Sequence, residues 1–264
     1  VLGEGRDNHF SDIEPVYFQD EDGHPYRSDQ PYCMVAGDDL LPDLIIGRLP
    51  LNQSTYLAQN VITKLLDYEI NPYLDSNWFE EIFLVSDPTY NFGDSYIHSK
   101  ITTNEYIQSI IPNENDNYNI DFQIFPNQSP YQIIHKLDDG ISFYNFLGDL
   151  QFGGIDSSEI TSLSNGPQLP FISAITCGTG YYYHNGHQNW GLARLMVQQG
   201  TPSIPKGAVS FIGSSNNYTH TIYNNHFSSR IASGIFNDKA YKFGGALAKG
   251  QLTLYNAFFD QALI

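Results

Sequence analysis

The chain has 264 residues, 41% of them hydrophobic and 14% aromatic, and a formal charge of −17 at pH 7. This is material for a sizeable core, so a disordered chain is excluded, and no run of 18 apolar residues provides a membrane-spanning helix. A polyanion of this size repels phosphate backbones, which excludes nucleic acid as the expected partner.

Residues 1–31 are polar, rich in Asp, Gly, Pro and His, and read as irregular structure, and a start at Val1 is expected of an excised or processed domain. Residues 33–36 and 43–48 read as short strands, the second stopped by Pro50. Over residues 53–69, Leu57, Val61, Leu65 and Leu66 recur at helical spacing behind Ser54 as N-cap. An apolar strand over residues 81–86 ends at Asp87-Pro88, and a loop through Gly93 leads to a helix over 102–111. Residues 118–125 alternate as a strand and 130–137 suit a short helix. Strands over 141–146 and 171–176 flank a helical turn at 159–163. A helix over 190–199, a buried strand over 207–213 and helices over about 220–236 and 243–259 complete the chain. Strands alternating with helices predict an α/β fold, a mostly parallel sheet covered on both faces. It is read as one domain over 1–264, with two sub-units of about 1–115 and 116–264 meeting at the polar break after Pro112 as the variant arrangement.

Residues 168–180, Gln-Leu-Pro-Phe-Ile-Ser-Ala-Ile-Thr-Cys-Gly-Thr-Gly, form a buried-strand pattern that ends in Cys177 and two glycines. A thiol at the mouth of a strand is how an α/β protein presents a nucleophile. Upstream, the strand Ile141–Phe146 runs into Gly148-Asp149-Leu150. Further pieces recur in order: Gly37-Asp38-Asp39 with residues 42–50, residues 64–69, residues 207–215, and Gly244-Gly-Ala-Leu-Ala-Lys-Gly250. Together they resemble the catalytic domains of gingipain-type cysteine peptidases from about Asp38 to Phe258. The resemblance implies the caspase-like three-layer sandwich, peptide or protein substrates, and no cofactor required for the chemistry. It also implies other domains of a larger secreted chain and an extracellular or cell-surface location. The family's last strand follows its final helix, so a stop at Ile264 implies a domain closed by a neighbouring segment or incomplete here.

By the same resemblance Cys177 takes the place of the nucleophile, Asp87 that of the acidic group that orients a histidine, and Asp149 that of the histidine itself. Aspartate side chains are anions at neutral pH, so this position has no proton for a leaving amine, and a negative charge near a thiol disfavours the thiolate. Leu150 stands where the family has a glycine whose amide helps bind the oxyanion; leucine keeps that amide, but its side chain crowds the close approach of backbone and substrate that glycine allows. The resemblance also places Gly148, Leu150, Ser214, Ser215, Asn216 and Tyr218 around the substrate. The stretch 213–218 carries no acidic side chain, so nothing in it selects Lys or Arg.

These features favour an impaired peptidase. The competing readings are an active peptidase that uses His184 or His187, or whose Asp149 replaces a native histidine, and an extracellular structural or glycan-binding module suggested by the 19 tyrosines and the acidity. His98 and His135 are expected on helix surfaces. Cys33 and Cys177 are too few for a disulfide scaffold and are expected unbridged. The segments 20–23 and 37–39 are the candidates for a structural calcium ion, though neither completes an EF-hand loop. The Asn-X-Ser/Thr triplets at Asn52, Asn127 and Asn217 are chance matches unless the source glycosylates them.

Overall fold

The computed structural model describes residues 2, 13–19, 23, 25–37, 39, 41–51, 54–90, 93–96, 98–112, 118–125, 130–149, 152–181, 191–240 and 242–258. Near the start, where the sequence predicts irregular structure, β1 (Val16–Gln19) and β2 (Pro25–Ser28) pair as an antiparallel hairpin. Phe18 and Tyr26 stack across it with ring centroids 5.4 Å apart. The two strands predicted next do not form. Gln30–Cys33 is a 3-10 turn, and of the run from Asp43 to Leu49 only Leu49 pairs, in an isolated parallel bridge with Leu2. Local side-chain bonds satisfy this segment instead. Asp43 accepts the backbone N–H groups of Val35 and Ala36, both at 2.8 Å. Arg48 grips Asp29 through Nε (2.8 Å) and a terminal nitrogen (2.6 Å).

The central sheet takes β3 (Glu81–Ser86), β4 (Asn119–Ile124), β5 (Phe143–Leu147), β6 (Phe171–Ala174) and β7 (Ser210–Gly213). Their order is β7-β6-β5-β3-β4, and every pairing is parallel. The three inner strands β3, β5 and β6 are buried on both faces, which is why they read as mostly apolar runs, whereas the edge strands β4 and β7 are only half-buried. Alternate side chains serve two cores. Phe83, Val85, Tyr144, Phe146, Ile172 and Ala174 face the layer of α3 (Pro130–Asp138), α4 (Ser157–Ser162) and α5 (Leu192–Gln198). Ile82, Leu84, Phe143 and Phe171 face that of α2 (His98–Ile110), α6 (Thr221–Phe236) and α7 (Phe243–Ala257). The molecule is therefore the expected three-layer α/β sandwich. Its sheet takes strands from both sides of residue 115. No described helix is long and apolar enough to cross a membrane.

Ser54 caps α1 (Thr55–Ile70), its hydroxyl accepting the Leu57 N–H at 3.3 Å. Two buried side chains of α1 then do unusual work. The last carbonyls of a helix have no partner within it. At the end of α5, Lys64 Nζ donates to the carbonyls of Val197 (2.6 Å) and Gln199 (3.1 Å), and also to that of Lys206 (2.9 Å). Asn60 Nδ2 donates to Gln198 O at 2.9 Å beside them. Burial pushes Lys64 down to about 7 from 10.5. Between those values the unfolded chain holds a proton that the folded chain releases, so Lys64 makes stability rise with pH across that window. Lys64→Met leaves the carbonyls of Val197 and Lys206 without this donor, while Gln199 O keeps Asn60 Nδ2 at 3.3 Å, and should lower stability by about 2–4 kcal/mol. It should also remove this rising slope between pH 7 and 10.5, which urea unfolding at several pH values will measure.

Candidate active site

From β3 the chain adds β4 on one side and then β5 on the other. The loops leaving β3 and β5 therefore part at their carboxyl ends, opening the crevice in which α/β sheets hold ligands. Asp87 follows β3, Gly148 and Asp149 follow β5, and Cys177 follows β6, the next strand across. The structure thus gathers these residues at the ends of three adjacent strands.

Hydrogen bonds fix the turns to one another. The Asp87 N–H donates to Leu147 O at 2.8 Å. The buried Thr176 hydroxyl lies 2.8 Å from Gly148 O and 3.2 Å from Asp149 O, tying the β5 turn to the residue before Cys177. Gly178 takes φ +72°, a left-handed conformation that favours glycine. Its N–H donates to Asn216 O at 3.0 Å, and the Gly180 N–H donates to Ser214 O at 2.8 Å. Ser214 and Asn216 therefore wall the Cys177 turn through their backbones. Asn216 Oδ1 accepts the N–H of Tyr218, whose ring is exposed. Leu150, His184 and His187 lie outside the described residues.

Three contributors escape the sequence reading. Lys100, only 1% exposed, donates from Nζ to Asp87 O at 3.2 Å. Burial pushes its pKa down, while the charges of Asp149, Asp87 and Cys177 pull it back up. The strand-end acids are therefore electrostatically coupled to a buried lysine. Its signal was present, since Lys100, Asn104, Ile107 and Ile111 form one buried stripe at helical spacing. Beginning the helix at 102 rather than at His98 hid it. The second and third are Thr219 and Asn224. Cys177 Sγ is 3.2 Å from Thr219 Oγ1 and 3.5 Å from Thr219 O, and Asn224 Nδ2 donates to the same hydroxyl at 2.9 Å. His220, next in the chain, caps α6 by accepting the Ile222 N–H on Nδ1 at 3.2 Å. In the neutral ring this leaves the proton on Nε2, which makes it a donor.

Beneath the site a buried polar chain joins sheet and helices. Asn104 Nδ2 donates to Val85 O and to Ser86 Oγ, both at 2.9 Å. Asn145 Nδ2 donates to Asn104 Oδ1 (2.7 Å), and Ser228 Oγ donates to Asn145 Oδ1 (2.8 Å).

A cleft of about 990 Å³ adjoins the site, lined in part by Ser214, Ser215, Asn216, Thr219 and apolar side chains of the β1–β2 hairpin. Cys177, Asp149 and Asp87 are not among its described lining, so it meets the chemistry through Thr219, Asn224, Gly180 and the 214–216 wall. Both cysteines are free thiols, Cys33 buried and Cys177 half-buried. His135 is exposed on α3, beside Asp139 at 3.1 Å, and His98 is exposed at the start of α2. Of the calcium candidates, Asp20, Glu21, Asp22 and Asp38 lie outside the described residues, and Asp39 Oδ1 accepts the Leu41 N–H at 2.9 Å.

The sequence matches peptidase family C25 over residues 1–263. It is 25% identical to gingipain R2 of Porphyromonas gingivalis over 201 residues, 72% of this chain and 26% of that protein. Gingipain R1 of the same species is 24% identical over 201 residues, covering 72% of this chain and 19% of the relative. The chain thus spans about a quarter of the length of the first of these relatives. The crystal structure of the Arg-specific cysteine proteinase gingipain R superposes with a TM-score of 0.78 at 18% identity, over 99% of this chain and 59% of that one. The complex of Porphyromonas gingivalis RgpB pro- and mature domains gives 0.73 at 22% identity, over 89% and 56%.

If the Thr176 hydroxyl joins the two turns, Thr176→Val, nearly the same shape without the donor, should lower stability by about 1–3 kcal/mol in urea unfolding. Thr176→Ser should retain most of it.

Proposed function

Because the chain belongs to peptidase family C25, we propose that it is a gingipain-type cysteine endopeptidase domain whose catalysis is impaired at the general base. We place it in a secreted or cell-surface multidomain protein, where it binds peptide or protein ligands. The single observation that carries this reading is Asp149, in the turn after β5 that the hydroxyl of Thr176, the residue before Cys177, holds by its carbonyl. Hydrolysis of a peptide by a thiol needs a group that takes the thiol proton and later gives a proton to the departing amine. An aspartate carboxylate is ordinarily a far weaker base than a thiolate, so it does not take the thiol proton and hold it for the departing amine. Lys100 offsets charge at the site, but it is buried with Nζ on Asp87 O, which gives it a structural and electrostatic part rather than the base's. Among known relatives, gingipain R is Arg-specific. In this chain residues 214–218 are Ser-Ser-Asn-Asn-Tyr, with no carboxylate to pair with a basic side chain, so selection of Arg by this wall is not part of the proposal.

The test restores the turn. Asp149→His with Leu150→Gly should gain Cys177-dependent cleavage of a mixed peptide library, since general acid–base catalysis contributes typically about 10²–10⁴-fold. Equal cleavage by parent and variant would contradict the reading and move the base to His184, His187 or His220. Cleavage by neither would point to loss of the pocket and to a binding module.

A further inference from the structure

The Cys177 sulfur has two contacts on one residue, and they belong to different protonation states. Thr219 O, at 3.5 Å, accepts only, so it is a partner for the thiol S–H. Thr219 Oγ1, at 3.2 Å, can donate, so it is a partner for the ionised sulfur. A hydroxyl has one proton and two lone pairs. Asn224, a residue only 8% exposed, places its Nδ2 on a lone pair of Thr219 Oγ1 at 2.9 Å, leaving the hydroxyl proton for a different acceptor. The sulfur is the acceptor within reach. Asn224 lies in the first turn of α6, so its position is set by the helix rather than by the loop.

We infer that Thr219, its hydroxyl oriented by Asn224, is the hydrogen-bond donor that stabilises Cys177 as a thiolate in a site whose base position holds Asp149. This rests on reading Cys177 as the nucleophile of a family C25 fold. It also divides the chemistry of the site. The nucleophile keeps a device that favours its reactive form, and the deficit falls on the proton required later. Thr219 acts at the sulfur and Asn224 is its positioning residue.

The experiment is alkylation of the intact chain by iodoacetamide at pH 7, read by mass spectrometry on the peptide that carries Cys177. Buried Cys33, whose Sγ donates to Gln30 O at 2.9 Å, serves as the internal reference. Thr219→Val keeps the backbone carbonyl and removes only the hydroxyl, and should slow Cys177 alkylation about tenfold, the worth of one hydrogen bond to a charged group. Thr219→Ser restores the hydroxyl and should recover most of the rate. Asn224→Ala, which frees the hydroxyl to turn away, should fall between. Thr219→Val reacting as fast as the parent would overturn the inference, as would a folded Thr219→Ser as slow as Thr219→Val. These outcomes are separate from the fate of the proposed function. Turnover of peptides by the parent would contradict impairment and leave the Thr219→Val ratio standing.

Discussion

The Thr176 hydroxyl, within hydrogen-bonding distance of the carbonyls of Gly148 and Asp149, is the contact on which the site depends. Parallel pairing of β5 with β6 brings two strand ends to the same level, but strand ends diverge into loops unless something joins them. Thr176 joins them from a buried position, where an unmade hydrogen bond is costly. With that clamp in place, Asp149 and Cys177 belong to one structure. The bonds from Gly178 and Gly180 then bring the 214–216 wall against it.

Two buried lysines show how this acidic chain spends its few cations. Lys64 completes the carboxyl end of α5, and Lys100 sits among the strand-end acids. Both are depressed by burial, and at Lys100 the charges of Asp149, Asp87 and Cys177 oppose that depression. At Lys100 the buried amine and the strand-end acids thus influence one another electrostatically.

Much of this was legible in the sequence where periodicity is strong. The runs 81–86 and 171–176 declare buried strands, 207–213 declares a strand that is half-buried over Ser210–Gly213, and Ser54 declares the start of α1. The misses have physical causes. Residues 43–48 look like a strand because they are apolar, but the partners of this region are the side chains of Asp29 and Asp43. Such pairings leave no periodic trace. Asn145 sits inside an apolar strand and is satisfied by Asn104 and Ser228, 41 and 83 residues away. Thr219 meets Cys177 across 42 residues, between loops whose relative placement only the completed sheet decides. Lys100 was readable as a continuation of the buried stripe of α2, and fixing the start of that helix at His98 is what exposes it.

The proposed impairment turns on the proton that a leaving amine needs, and leaving groups of different basicity test it. An aryl ester expels an aryloxide without protonation, whereas a peptide amide must be protonated as it leaves. The direct measurement compares an activated aryl ester with an amide of the same acyl group on the unmodified chain. The account predicts a stoichiometric burst of aryloxide with an acyl group retained on Cys177, and no turnover of the amide. Amide turnover at a rate comparable with that of the ester would contradict it, because a proton donor would then be at work in the site.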